Sequence, residues 1–150
     1  PRSAGQLPVY YSLGRQNKYV EGEGSPLYSF GYGLSYTQFK YYGLEITRKE
    51  GKTVVSCSIS NTGDFDGEEV VQLYVRDNIS SVSTPPLQLK DFCRVFIKKG
   101  ESQPVTFTLR DDQLSLFNAQ MEEVTEPGEF TIMIGAASSD IRLRGSFLCP

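Results

Sequence analysis

What most limits the folds open to this chain is a series of short alternating apolar runs, divided at intervals of roughly ten to fifteen residues by turn-forming residues. Thr53 to Ser60 shows the pattern clearly: Val55, Cys57 and Ile59 fall on one face, Val54, Ser56 and Ser58 on the other. A period of two is the signature of a strand buried on one side and wet on the other. The same reading gives strands over Phe39–Lys49, with Tyr42, Leu44 and Ile46 inward, and over Gln103–Arg110, with Val105, Phe107 and Leu109 inward. Glu69–Arg76 carries apolar residues on both faces and is expected at the centre of a sheet. Leu87–Ile97 reads as a strand with an irregularity, because Phe92 falls out of phase with Val95 and Ile97. Glu129–Gly135 and Asp140–Leu148 close the series, the latter alternating Ile141, Leu143 and Gly145 with Arg142, Arg144 and Ser146. Glu50-Gly51-Lys52 and Lys98-Lys99-Gly100-Glu101 read as tight turns. Asp111–Phe117 suggests one helical turn capped by Asp111, with Leu114 and Phe117 packing beneath the sheets. Long helical periodicity is missing, so the expected fold is an all-β, immunoglobulin-like sandwich of about seven antiparallel strands. No Cys…Trp…Cys pattern marks it as an antibody-type domain.

Composition narrows the chemistry. The chain has no histidine, which removes the commonest general base and the commonest metal ligand together. Its three cysteines, Cys57, Cys93 and Cys149, are too scattered for a zinc site or a small disulfide framework. Cys57, on the apolar face of its strand, reads as a buried hydrophobe, while a Cys57–Cys93 or Cys93–Cys149 bridge stays open. A net charge of -3, with no basic cluster beyond Lys98-Lys99, argues against nucleic acid. No apolar run approaches the roughly eighteen residues of a membrane span, so no membrane insertion is expected. Asp64 and Asp66, followed by Gly67, begin like a calcium loop, but no acidic residue closes one, and the segment reads as a turn. No metal and no cofactor are expected. Asn78-Ile79-Ser80 is a glycosylation sequon within the long polar loop Asp77–Pro86.

Pro26–Phe39 stands apart. It sets Tyr28, Phe30, Tyr32, Tyr36 and Phe39, with Tyr41 close behind, around Gly31 and Gly33. Two glycines and an opening proline exclude a helix, and aromatics at spacing two suggest extended backbone with the glycines permitting close approach or positive φ. So much aromatic surface needs something to lie against.

Leu27-Tyr28-Ser29-Phe30-Gly31-Tyr32-Gly33-Leu34-Ser35-Tyr36-Thr37 closely resembles the segment leading into the C-terminal fibronectin type III-like domain of glycoside hydrolase family 3 enzymes, the β-glucosidases and β-xylosidases. Asn61-Thr62-Gly63, Gly67 to Val75, Leu89 to Val95, Glu126 to Phe130 and Ser138 to Ile141 continue the resemblance in order. It implies three parts: residues 1–25, the tail of a preceding α/β sandwich domain and a linker; residues 26–39, an aromatic joint; and residues 40–150, the fibronectin type III-like domain. Within the first part, Leu7–Tyr11 is a strand candidate and Ser12–Ser25 a glycine-rich linker. A beginning at Pro1 rather than Met suggests a processed or excised piece.

Three functions compete. Glycoside hydrolysis needs two converging carboxylates, and the adjacent pairs Glu68-Glu69, Asp111-Asp112 and Glu122-Glu123 do not suit: strand neighbours point apart, and the others lie in turns. The resemblance places the family's catalytic residues in other domains, so none is assigned here. A binding module would use aromatic faces, yet the chain has no tryptophan. The third reading is an accessory domain, non-catalytic, that packs on the catalytic domains of the same parent chain and stabilises them. Its contact residues would be Tyr28, Phe30, Tyr32, Leu34 and Tyr36, with Asn78, Ser80, Ser81 and Ser83 in a loop reaching the substrate cleft. The parent would hydrolyse terminal β-glycosidic bonds of oligo- or polysaccharides, and the resemblance favours a periplasmic or extracellular setting. The alternative is an autonomous carbohydrate-binding or adhesion sandwich, which coplanar exposed tyrosines would favour.

Overall fold

The computed structural model describes residues 25–150, so the strand expected at Leu7–Tyr11 and all but the last residue of the linker lie outside the described residues. Seven long strands form, β1 (Phe39–Lys49), β2 (Lys52–Asn61), β3 (Gly67–Asp77), β4 (Gln88–Ile97), β5 (Ser102–Arg110), β8 (Gly128–Ala137) and β9 (Asp140–Cys149). Two short ones, β6 (Leu116–Phe117) and β7 (Glu123–Val124), pair only with each other. A three-stranded sheet, in the order β1-β2-β5, faces a four-stranded sheet, in the order β4-β3-β8-β9, and every pairing is antiparallel.

The core lies between the sheets. Val55, Cys57 and Ile59 of β2 and Val105, Phe107 and Leu109 of β5 meet Val71, Leu73 and Val75 of β3 and Phe130, Ile132 and Ile134 of β8, all buried. Each such side chain contributes about 1.5–3 kcal/mol on burial. A one-residue register slip in β2 would therefore expose three of them at once, which fixes the pairing. The β1–β2 hairpin closes through Glu50 and Gly51, at φ 51 and 72, between the paired Lys49 and Lys52. Two positive-φ residues in a two-residue loop match the right-handed twist of the strands they join.

Four expectations are corrected. Tyr41, not Tyr42, is the buried tyrosine of β1: Gly43, at φ 66, and Leu44 together oppose Cys57, and this bulge reverses the inward phase after Tyr41. The irregularity of β4 is real but lies at Lys90, the extra residue between the pairs Leu73–Asp91 and Tyr74–Leu89. Phe92 and Phe96 simply occupy the outer face and are exposed, while Val95 and Ile97 face in. Asp111 caps nothing: the turn Asp111–Leu114 is a single 3₁₀ turn, the Asp111 carboxylate pairs with Arg48 at 2.8 Å, and Gln113 Oε1 accepts the Arg110 N–H at 2.9 Å. Leu114 is buried beneath the sheets as expected, whereas Phe117 is exposed because its strand pairs away from the core.

All three cysteines are free thiols. Cys57 and Cys149 are buried and Cys93 half-buried, and burial pushes the Cys57 thiol up to about 11.

Candidate functional site

The aromatic joint is not continuously extended. Ser29–Tyr32 forms a reverse turn in which the Tyr32 N–H donates to Ser29 O at 3.0 Å, with Gly31 at φ 78 as its third residue. That turn brings the segment back across the four-stranded sheet as a strap. Its fastening is polar and specific. The Ser138 N–H donates to Phe30 O at 2.9 Å, and the Ser139 hydroxyl to Ser29 Oγ at 2.7 Å. From the middle of β3, the buried Gln72 side chain donates to Gly31 O at 3.1 Å and to Ala136 O at 2.6 Å, and its own Oε1 accepts the Tyr74 hydroxyl at 2.5 Å. A Cβ on Gly31 would stand 2.1 Å from Gln72 Oε1, so only glycine fits this approach.

At its far end the strap is tied to the loop after β2. The Thr37 hydroxyl donates to Asn61 Oδ1 at 2.6 Å, and Asn61 Nδ2 donates to Phe65 O and Ile97 O at 2.7 and 2.9 Å. Asn61 Oδ1 also accepts the Gly63 N–H at 3.1 Å, which gives the buried amide four partners. Asp64 and Asp66 turn away from one another's service as ligands: Asp64 pairs with Lys99 Nζ at 2.8 Å and Asp66 accepts the Lys99 N–H at 2.8 Å. Among the described residues no group of three or more metal-ligating side chains assembles.

The strap is fixed, yet its apolar side chains face solvent. Leu27, Tyr28, Phe30 and Tyr32 are all exposed, Leu34 is 89% exposed and Tyr36 97%. The rings of Tyr28 and Tyr32 lie 5.1 Å apart but tilted by 40°, so they form no coplanar platform for a sugar. Between strap and sheet runs a groove of about 790 Å³, walled by Phe30, Tyr32 and Leu34 on one side and by Val70 and Phe92 on the other.

One corner of the groove is charged. Here a double irregularity in the β8–β9 pairing leaves Arg142 without a partner residue and turns it into the seam between the sheets. Its guanidinium lies 4.7 Å from the centre of the Tyr41 ring, donates to Phe39 O at 2.9 Å and grips Asp140 at 2.7 Å, holding that carboxyl below its usual range. Glu68 pairs with Arg94. Glu69, the adjacent carboxylate, points the other way, beside the buried Tyr41 hydroxyl, and belongs to no ion pair among the described residues. Burial pushes the Glu69 carboxyl up, partly opposed by Arg142, and burial followed by the Glu69 charge drives the Tyr41 hydroxyl far above the ordinary tyrosine range. Tyr41 is 7% exposed, and its hydroxyl faces the Glu69 carboxyl, whose charged form it helps to hold.

The Asn78–Ser83 loop is elsewhere. Asn78 lies six residues along β3 from Gln72, about 20 Å at ~3.3 Å per residue. Asn78 Nδ2 donates to Glu129 Oε2 at 3.0 Å, and its Oδ1 accepts the Thr131 hydroxyl at 2.9 Å. Ser80 donates to Val82 O at 2.7 Å, and the Ser81 N–H to Glu126 Oε2 at 2.8 Å; Ser83 is exposed. The sequence reading thus named the strap and the loop, and the structure keeps them apart, the strap over the first half of β3 and the loop beyond its last residue. It missed Gln72, Asn61, Tyr41 and Arg142. Gln72 alone left a local signal, a lone amide inside the apolar run Val70 to Val75.

Residues 69–138 match the model of the fibronectin type III-like domain. A putative β-xylosidase of Formosa agariphila is 40% identical over 95% of this chain and 20% of its own length. The periplasmic β-glucosidase of Salmonella typhimurium is 38% identical over 98% of this chain and 21% of its own. Among solved structures, a β-glucosidase from Erythrobacter marinus superposes with a TM-score of 0.88 at 38% identity, over 96% of this chain and 20% of that one. β-Glucosidase 3B from Thermotoga neapolitana, bound to glucose, gives 0.80 at 36% identity over 83% and 18%. The chain therefore spans about a fifth of the length of these relatives.

Proposed function

The chain is a fibronectin type III-like domain of the kind carried by family 3 glycoside hydrolases, and on that premise we propose that it is the non-catalytic accessory domain of a β-glucosidase- or β-xylosidase-like enzyme. Its work is to pack on the catalytic part of the same polypeptide and stabilise it, and the strap is the contact. One observation carries this reading: six apolar side chains, Leu27, Tyr28, Phe30, Tyr32, Leu34 and Tyr36, are held out to solvent on a backbone that buried hydrogen bonds keep in place. A mobile tail with exposed aromatics would ask for no explanation. A pinned one is a preorganised apolar surface, and such surfaces mark interaction sites. The Asn78–Ser83 loop, fastened by Glu126 and Glu129, takes the second proposed role, at the edge of the substrate cleft. The fit of the adjacent carboxylates agrees with a domain that does no chemistry: Glu68, Asp111 and Asp112 are all committed to arginines.

The test compares the full-length polypeptide with the 150-residue chain, each carrying Tyr32→Ser, Leu34→Ser and Tyr36→Ser together. These side chains are already exposed in the chain alone, so its Tm should stay within about 2 °C. The full-length protein should lose at least 5 °C and inactivate sooner on an aryl β-glucoside. Unchanged full-length stability, or tight binding of cello- or xylo-oligosaccharides by the 150-residue chain, would overturn the reading.

A further inference from the structure

We propose that the docked surface continues past the strap into the groove. There an uncharged, apolar ridge of the catalytic part of the same polypeptide lodges between strap and sheet, with Phe92 as its anchor on the sheet side. The inference rests on the docking role just given and adds the shape and chemistry of what docks. The two walls of the groove are fastened to one another. Phe92 of β4 lies directly across the ladder from Gln72 of β3, and the Gln72 amide donates to Gly31 O of the strap at 3.1 Å. The walls therefore keep their spacing without a guest, and a cleft formed in advance loses little freedom when it is filled. Both walls are apolar where they face water: Leu34 is 89% exposed, Phe92 62% and Tyr32 50%. A single exposed phenylalanine needs no explanation, but one set across a fixed gap from Leu34 and Tyr32 extends the strap's apolar surface onto the sheet.

The polar groups of the groove decide what kind of guest it takes. Glu68 is paired with Arg94, and Asp140 with Arg142. Glu69 accepts the Val70 N–H at 3.1 Å, faces the Tyr41 hydroxyl and lies in the field of Arg142. Gln72 donates to Gly31 O and Ala136 O and accepts the Tyr74 hydroxyl. These groups answer one another, so a charged guest or a sugar would gain partners only by breaking bonds already made. An apolar guest disturbs none of them and covers Leu34, Tyr32, Val70 and Phe92 together. At about 790 Å³ the groove is the size of a pocket that holds a whole drug-sized molecule, so it takes a ridge of several side chains rather than one. The polypeptide itself is the source of that ridge. The chain spans about a fifth of the length of its relatives, and a part joined covalently reaches the groove at far higher effective concentration than a second copy does.

Hydroxyl-radical footprinting read by mass spectrometry, on the 150-residue chain and on the full-length polypeptide, tests this without any substitution. Phe107, 3% exposed in the core, sets the protected limit. Phe92 and Leu34 should label freely in the 150-residue chain and lose labelling several-fold in the full-length protein. Phe92→Ser should then leave the Tm of the 150-residue chain within about 2 °C, because the ring is already exposed there, and lower the full-length Tm by several degrees. Combined with Leu34→Ser in the full-length protein it should be non-additive, since one ridge touches both walls. If Leu34 is protected and Phe92 is not, the docking reading stands and the groove is refuted. If neither is protected, both fall. Protection of Phe92 already present in the 150-residue chain, and rising with its concentration, would give the groove to a second copy and overturn the proposal.

Discussion

Replacing Asn61 with alanine should be among the most damaging single substitutions in the domain that remove no apolar side chain. Asn61 is 1% exposed and all four hydrogen-bonding positions of its amide are filled, by the Thr37 hydroxyl, the Gly63 N–H, Phe65 O and Ile97 O. These partners come from the strap, the loop after β2 and the end of β4, so one side chain ties three segments together. Each net hydrogen bond is worth about 0.5–1.5 kcal/mol, and a buried partner left unsatisfied costs about 1–3 kcal/mol. The Thr37 hydroxyl and Ile97 O are enclosed, whereas Phe65 O and Gly63 N–H lie nearer water and can be rehydrated. Two stranded groups and two recoverable ones give a loss of about 3 kcal/mol, or about 10 °C for a domain of this size. Chemical unfolding of the 150-residue chain, with Thr37→Val and the double variant, measures both the loss and its coupling. The two changes should be strongly non-additive, since Thr37 and Asn61 bond to each other at 2.6 Å. A loss under about 1 kcal/mol, or additivity, would refute the claim that this amide is the fastening of the strap.

Other perturbations follow from single features. Gly51 sits at φ 72 in the hairpin, so Gly51→Ala should cost about 1 kcal/mol, whereas Glu50→Asn, at φ 51, should hold or gain stability in thermal unfolding. Gly31→Ala should drive the strap off Gln72, read as faster amide exchange at Tyr32 and Ser138 with the core strands unchanged. The Glu69 carboxyl, raised in the folded chain, contributes stability that is complete below the ordinary glutamate range and is lost as pH rises through the raised value; Glu69→Gln should abolish that part of the pH profile in the 150-residue chain. Cys57, buried and pushed up to about 11, should resist maleimide at pH 7 in the native state and react only on unfolding, and native-rate labelling would contradict its place in the core.

Much of this was legible in the chain itself, and for a local reason. A strand with one face in the core must place an apolar residue at every second position, so Val55, Cys57 and Ile59, or Val105, Phe107 and Leu109, announce strand, face and burial together. Glu50-Gly51 and Lys98 to Glu101 likewise carry their turns in their own φ requirements, with Gly51 and Gly100 at φ 72 and 75. The aromatic joint was legible too, since no short run of Tyr, Phe and Gly buries itself.

What the sequence left open was every feature set by a partner strand. Whether Tyr41 or Tyr42 faces in depends on a bulge at Gly43 and Leu44, and a bulge is defined only by the residue across the ladder, Cys57. The same holds for Lys90 in β4 and for Arg142, which alternation along β9 would send outward and the pairing with β8 turns toward Tyr41. Phe117 reads as core until β6 pairs with β7 instead. The groove is the extreme case. Gln72 meets Gly31 across 41 positions of chain, and Arg142 meets Phe39 across 103. Alternation encodes which side of a strand is apolar; only the assembled sheets decide which polar groups are left facing one another, because that depends on register accumulated over strands that the local pattern does not couple.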